Sequence, residues 1–182
     1  FGLYTALALR RLGPTGRLHA FEPNPRMQRL LERNARSPIA GQVTRHELGL
    51  SNQEGHAEFV IAEDSAYSSL ADTRRTGVAE TLRVAITTLD AFVRANAVPR
   101  VDVMKIDVEG FEHEVLSGGS ALLSREDAPA ILIEIAEQNL GARGRKRGEV
   151  IELLRGHGYA VSAVRADGAL LPATGDFAGP EV

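Results

Sequence analysis

Two short apolar runs, V-D-V-M-K-I at residues 101–106 and A-I-L-I-E-I-A at residues 130–136, constrain this chain more than any other feature. Both are too short and too rich in β-branched residues to be preferred as helices, and segments of helical periodicity surround them. Strands alternating with helices are expected to build a mostly parallel sheet with helices on both faces, an α/β doubly wound architecture. The alternation continues along the chain. A helical pattern at 3–12 stops at Gly13-Pro14-Thr15-Gly16. A strand at 17–21 then ends in Glu22-Pro23-Asn24-Pro25, where the prolines forbid further ladder bonding and Asn24 can cap a helix at 26–36. Further strands are expected at 43–50, 56–61 and 82–86, and helices at 88–96, 111–116, 121–124 and 149–157. Asp167-Gly168 predicts a hairpin between strands at 159–165 and 169–171, which adds an antiparallel strand at one edge.

Composition narrows the function. The 182 residues suit one domain, and 43% hydrophobic with 25% charged residues suits a globular core. A net charge of −3 gives no electrostatic reason to expect general binding to nucleic acid or to an acidic membrane surface. The absence of cysteine excludes disulfides and thiolate metal sites and agrees with a cytoplasmic location. No apolar run approaches the roughly 20 residues that span a bilayer, and no signal peptide is visible. The chain begins at Phe1 directly in a helical pattern, so an additional N-terminal piece is expected.

In sheets of this kind ligands sit outside the carboxyl ends of the strands, so chemistry is sought after Phe21, Leu50, Ile106 and Ile135. Glu22 directly follows its strand, where a carboxylate matches the two hydroxyls of a ribose; a solvated acid in a turn is the plainer alternative. Period-two alternation puts Lys105 and Asp107 on one face, with Glu109 next in that series. Two readings stay open there: a buried Lys105 with Asp107 as structural counterion, or carboxylates pointing into a crevice, one holding a cationic group and another acting as base. Gly110 lets the backbone turn sharply, while Glu112 and Glu114 suit the first turn of a helix and carry no further expected meaning. Glu134 interrupts its apolar run and either joins the same crevice or pairs with Lys105.

Other constellations are weaker. Asp107, Glu109, His113 and Glu134 would suit a hard divalent cation, but nothing in their spacing is diagnostic. The five histidines fall in separate elements, which speaks against a cluster. The basic run Arg143-Gly144-Arg145-Lys146-Arg147 is either a solvated charge run or a grip for an acidic substrate. Ser68-Ser69-Leu70 lies in a long polar segment of the kind that forms lids.

Taken in order, F-E-P-N-P (21–25), E-L-G-L-S-N-Q-E-G (47–55), S-S-L (68–70), T-T-L-D (87–90), K-I-D-V-E-G-F-E (105–112) and I-L-I-E-I (131–135) form a series. With it the chain resembles the FkbM family of S-adenosylmethionine-dependent methyltransferases over nearly its whole length. The resemblance implies the class I methyltransferase fold, a Rossmann-like sheet of order 3-2-1-4-5-7-6 with strand seven antiparallel. It implies S-adenosylmethionine as cofactor, with Gly2, Tyr4 and Thr5 beside its methionine moiety, Glu22 and Pro23 at the ribose, Gly49, Leu50 and Ser51 near the adenine, and Asp107 near the amine or the methyl-transfer site. The acceptor implied is a hydroxyl of a small molecule, sugar or polyketide. Glu109 is the expected base, with Glu134 second, and Asp107 is the third expected catalytic residue. The family's first strand and its D-x-G-x-N turn are absent from this sequence; their place is at the sheet centre, between the strands at 17–21 and 101–106. Two alternatives remain: a nicotinamide-dependent oxidoreductase, which would share Glu22 and the sheet, and a non-catalytic, truncated methyltransferase-like domain. Neither the acceptor's identity nor the oligomeric state can be read from these residues.

Overall fold

The computed structural model describes residues 2–35, 42–62, 78–165 and 167–173. Helix α1 (Leu3–Leu9) leads to strand β1 (Leu18–Phe21), helix α2 (Pro25–Asn34) and strand β2 (Val43–His46). The cap expected at Asn24 forms: its side chain accepts the Arg26 N–H, and Pro25 takes the first helical position, where its missing N–H costs nothing. The strand expected at 43–50 breaks in two. β1 and β2 pair in parallel, whereas Gly49–Leu50 forms a separate short strand, β3, in another ladder. Strands β4 (Gly55–Ala62) and β5 (Val78–Thr87) form an antiparallel pair, with β3 parallel to β5 on its other side. The segment containing Ser68-Ser69-Leu70 lies outside the described residues.

Helix α3 (Leu89–Ala95) begins at Thr88, whose hydroxyl accepts the Ala91 N–H. Strand β6 (Val103–Ile106), helices α4 (Glu112–Ser117) and α5 (Ser120–Leu123), and strand β7 (Ala130–Ile133) follow. β6 and β7 pair in parallel, Val103 with Ala130 through Ile106 with Ile133. Helix α6 (Glu137–Gly141), not expected from the sequence, precedes α7 (Arg147–Gly156), and strands β8 (Ser162–Val164) and β9 (Leu170–Pro172) close the chain as the predicted antiparallel hairpin. Its pairing, together with β1·β2 and β6·β7, matches three neighbour pairs of the class I order. The fold is thus the α/β class I methyltransferase fold, with parallel ladders and an antiparallel C-terminal hairpin.

The two apolar runs are less buried than their composition suggests. Val103 is 68% exposed and Leu132 43%, and among the described residues no ladder joins β1 to β6. The main core lies instead where Ile106 meets Leu116 and Val115 of α4, Leu123 of α5, Leu140 of α6 and Val150 of α7. Leu116 is fully buried there, a burial that contributes about 1.5–3 kcal/mol.

Besides Leu89, which packs in this core, a capping contact ties α3 to it. Helix α5 has no capping side chain of its own, and Asp90 supplies one from α3, its two oxygens accepting Ala121 N–H and Leu122 N–H at 2.9 Å each. Replacing Asp90 with alanine orphans both donors and is expected to cost about 1–2 kcal/mol, with asparagine recovering part of it. Urea unfolding checks this; an unchanged midpoint in Asp90→Ala would mean that the cap contributes nothing.

Candidate active site

The carboxyl ends of β1 and β6 each carry a cluster of the expected residues. At β1, Glu22 N–H donates to the His46 carbonyl at 3.0 Å, extending the β1·β2 ladder by one bond, and Glu22 Oε1 accepts the Asn24 N–H at 2.8 Å. The buried Gln28 of α2 donates to the carbonyls of both Glu22 and His46, at 2.6 and 3.0 Å, locking the two strand ends together. Glu22 is therefore an oriented, half-buried carboxylate. Burial raises its pKa, partly offset by the Asn24 N–H. Pro23, half-buried, continues the same turn.

Contrary to the sequence-based expectation, two histidines do meet. His19 of β1 and His46 of β2 approach at 3.0 Å between Nδ1 and Nε2, and their rings stack with Phe21 under the edge of Phe92. Burial lowers both pKa values, and for His46 the neighbouring His19 adds to the effect. The pair escaped the sequence because its residues lie 27 apart and only the β1·β2 register brings them side by side.

At β6, Lys105 is 18% exposed and its ammonium stands between two carboxylates, Asp107 Oδ2 at 3.6 Å and Glu134 Oε2 at 3.5 Å. Both open alternatives, counterion and crevice carboxylate, thus describe one cluster. Lys105 Nζ also reaches the Ile106 carbonyl at 3.3 Å and lies 4.8 Å above the Tyr4 ring, which brings α1 to the site. Gly2 caps α1 in left-handed backbone and Thr5 lies half-buried on the same helix. Glu134 does not interrupt a strand, as its position in the apolar run implied. β7 ends at Ile133, and Glu134 N–H makes one further bond to the Ile106 carbonyl before the chain departs.

The turn after Asp107 is the most constrained backbone in the site. Glu109 adopts φ +50° although it is not glycine, and Gly110 follows at φ +100°. A Cβ at Gly110 would stand 2.7 Å from the Asn139 carbonyl oxygen, so both the dihedral and the space require glycine. The buried Asn139 side chain donates to Glu109 Oε2, so α6 holds the expected base from one side. From the other, Glu112 Oε1 accepts the Gly110 N–H at 3.0 Å.

Glu112 and Glu114 are where the sequence reading needs correction. They do occupy the first turn of α4, but they are 2% and 5% exposed and have specific partners. Glu114 pairs with Arg143 at 3.3 Å and Arg145 at 3.7 Å, Arg145 also pairs with Glu149 at 3.0 Å, and Arg147 lies 3.5 Å from Glu137. Arg143 also lies flat on the Phe111 ring at 3.8 Å. Arg143, Arg145 and Arg147 of the basic run each pair with an acid on α4, α6 or α7, while Lys146 is exposed.

Gly49, Leu50 and Ser51 form a third group. The first two pair with Ile86 and Thr87, Ser51 N–H donates to the Thr87 carbonyl, and the buried Ser51 packs its backbone against Gly118. The divalent-cation alternative finds no support in the geometry. His113 turns to Ser117 at 3.4 Å, Glu109 to Asn139, and Asp107 with Glu134 to Lys105. Among the described residues no three histidine, aspartate or glutamate side chains converge to hold a metal.

Comparison with known proteins gives the family. A family model described as the methyltransferase FkbM domain matches residues 1–161. The hexuronic acid methyltransferase AglP of Haloferax volcanii is 32% identical over 117 residues, 64% of this chain and 46% of that protein. The AMB antimetabolite synthetase AmbE of Pseudomonas aeruginosa is 33% identical over 133 residues, 72% of this chain and 6% of that protein. The chain therefore spans less than half the length of the one and a small part of the other. No solved structure matches.

Proposed function

The chain belongs to the methyltransferase FkbM domain family, and from that membership we propose that it moves a methyl group from S-adenosylmethionine to a hydroxyl of a small sugar or polyketide-like acceptor. The observation that carries the proposal is the Glu109 carboxylate, held on left-handed backbone in the turn after β6 by the Asn139 side chain, two residues past the Asp107 that pairs with Lys105. Family membership sets aside the nicotinamide-dependent alternative.

The residues present fit the cofactor. Glu22 offers an oriented carboxylate for a vicinal diol, and one ammonium between two carboxylates leaves net negative charge at the β6 end, which suits a cationic donor. Glu22 and Pro23 would hold the ribose, Gly2, Tyr4 and Thr5 the methionine moiety, Gly49 to Ser51 the adenine side, and Asp107 the amine. When bound, the sulfonium supplies an activated methyl group. The protein's own work is to align and deprotonate the acceptor. An aliphatic hydroxyl is a poor nucleophile near neutral pH, so Glu109 would take its proton onto a carboxylate oxygen, with Glu134 the second candidate for that role. Lys105 stands between Asp107 and Glu134 and limits their repulsion. The name of the Haloferax relative favours sugar acids among the acceptors to be tried first.

Glu109→Gln keeps the size of the side chain and an oxygen for Asn139 but removes the base. Transfer of labelled methyl to a panel of sugars and sugar acids is expected to slow by about 10²–10⁴-fold in kcat, with S-adenosylhomocysteine affinity unchanged. Full turnover by this variant would remove Glu109 as base and pass the role to Glu134.

A further inference from the structure

Glu112 is the one carboxylate near the β6 end that the mechanism above leaves without a task, and it is also the most deeply buried. It is 2% exposed, its Oε1 accepts the Gly110 N–H at 3.0 Å, and its Oε2, also buried, has no hydrogen-bond partner among the described residues. A charge-bearing group is rarely placed in such a position without strong local compensation. The compensation here is the turn itself.

We propose that Glu112 is a positioning residue for methyl transfer: by accepting the Gly110 N–H it fastens the Glu109–Gly110 turn and so sets the direction in which Glu109 faces the acceptor. The proposal rests on the reading of Glu109 as base. Glu109 at φ +50° and Gly110 at φ +100° form a conformation that an L-residue holds only when its surroundings over-determine it. The surroundings act from two sides. Asn139 on α6 donates to the Glu109 side chain and lays its backbone carbonyl against Gly110, while Glu112 on α4 ties down the Gly110 amide.

Further observations place the Glu112 carboxylate at the centre of the turn. Burial raises the pKa of Glu112, the Gly110 N–H partly offsets that, and the nearby Asp107 adds to the rise. The carboxylate therefore sits within the turn, on the Gly110 amide and near Asp107. Its neighbour in sequence, Phe111, is clamped by the Arg143 guanidinium, so the segment that carries Glu112 is itself held in place.

The test compares Glu112→Ala, Glu112→Asp and Glu112→Gln in the full chain by three readouts: amide exchange at Gly110, the split between kcat and KM, and S-adenosylhomocysteine affinity. Glutamine retains an acceptor at the Oε1 position and is expected to keep Gly110 protected and most of kcat. Alanine removes the acceptor and aspartate withdraws it by one methylene. Both are expected to lose Gly110 protection and about 10²-fold in kcat, with cofactor affinity held within about threefold. If the alanine variant does not fold, the aspartate and glutamine pair carries the test. Unchanged kcat in a folded variant whose Gly110 amide exchanges freely would overturn the proposal. So would a glutamine variant that keeps Gly110 protected yet loses kcat, because charge rather than position would then be at work. If the unmodified chain transfers methyl to no acceptor, the functional reading fails and the transfer role of Glu112 with it, while Gly110 exchange still reports separately on the clamp.

Discussion

Gly118→Ala is expected to destabilise the protein by about 3–5 kcal/mol, a large part of the 5–15 kcal/mol that holds a typical domain together. Gly118 ends α4 at φ −75°, so its dihedral suits any residue and the effect is one of space alone. A Cβ there would stand 2.1 Å from the backbone oxygen of Ser51 and 3.1 Å from its carbonyl carbon. Backbone cannot give way as the tip of a flexible side chain can. Moving Ser51 aside would strain its hydrogen bond to Thr87, and moving Gly118 would strain the bond its carbonyl accepts from Asp90 N–H. Each loss costs about 1 kcal/mol on top of the overpacking. Thermal unfolding reads the result as a fall in Tm of about 10 °C, at the 2–4 °C per kcal/mol expected for this chain length. Gly148→Ala in α7 is the control, since nothing lies within 4 Å of a Cβ there; it is expected to be neutral or to stabilise by up to about 1 kcal/mol. Equal Tm values for the two variants would show that Ser51 and Gly118 do not approach this closely in solution.

Glu22→Ala is expected to weaken S-adenosylhomocysteine binding about 10²-fold, from two lost charge-assisted hydrogen bonds at about 1.5 kcal/mol each. Glu22→Gln keeps one acceptor and should fall between the two. Titration calorimetry measures both, and an unchanged Kd in the alanine variant would remove Glu22 from the cofactor site. The pH dependence has a definite sign. Binding both hydroxyls as acceptor needs the ionised carboxylate, and burial raises the pKa of Glu22 above the ordinary glutamate value. Affinity in the unmodified protein should therefore decline as the pH falls through that raised value, at a higher pH than an exposed glutamate would give. In Glu22→Ala this part of the pH dependence should vanish.

Most of the architecture was legible because its signals are local. Asn24 with Pro25, Thr88 before α3, and Asp167-Gly168 in the hairpin each act through backbone groups within a few residues, so the chain announces them without its fold. Helix α6 was missed for the corresponding reason: its five residues have no capping side chain, and it is held by tertiary contacts, those of Asn139 with the site, Leu140 with the core and Glu137 with Arg147. The site divides in the same way. Glu22 and Asp107 could be found from their positions at strand ends and Glu134 as the acid interrupting an apolar run, whereas the burial of Glu112 and Glu114 could not. The helix start explains an acid at those positions; it says nothing of the Gly110 amide or of two arginines arriving from about 30 residues away.

By itself the sequence determined the order of elements, the carboxylates at the strand ends and the family, since these depend on residue type, on short spacing and on motifs kept in order. Only the tertiary structure decided which charges neutralise one another, which histidines touch, and which glycine is required by a neighbour's backbone. Those outcomes turn on distances of a few ångström between residues far apart in the chain. Register and packing set such distances, and no local pattern records them.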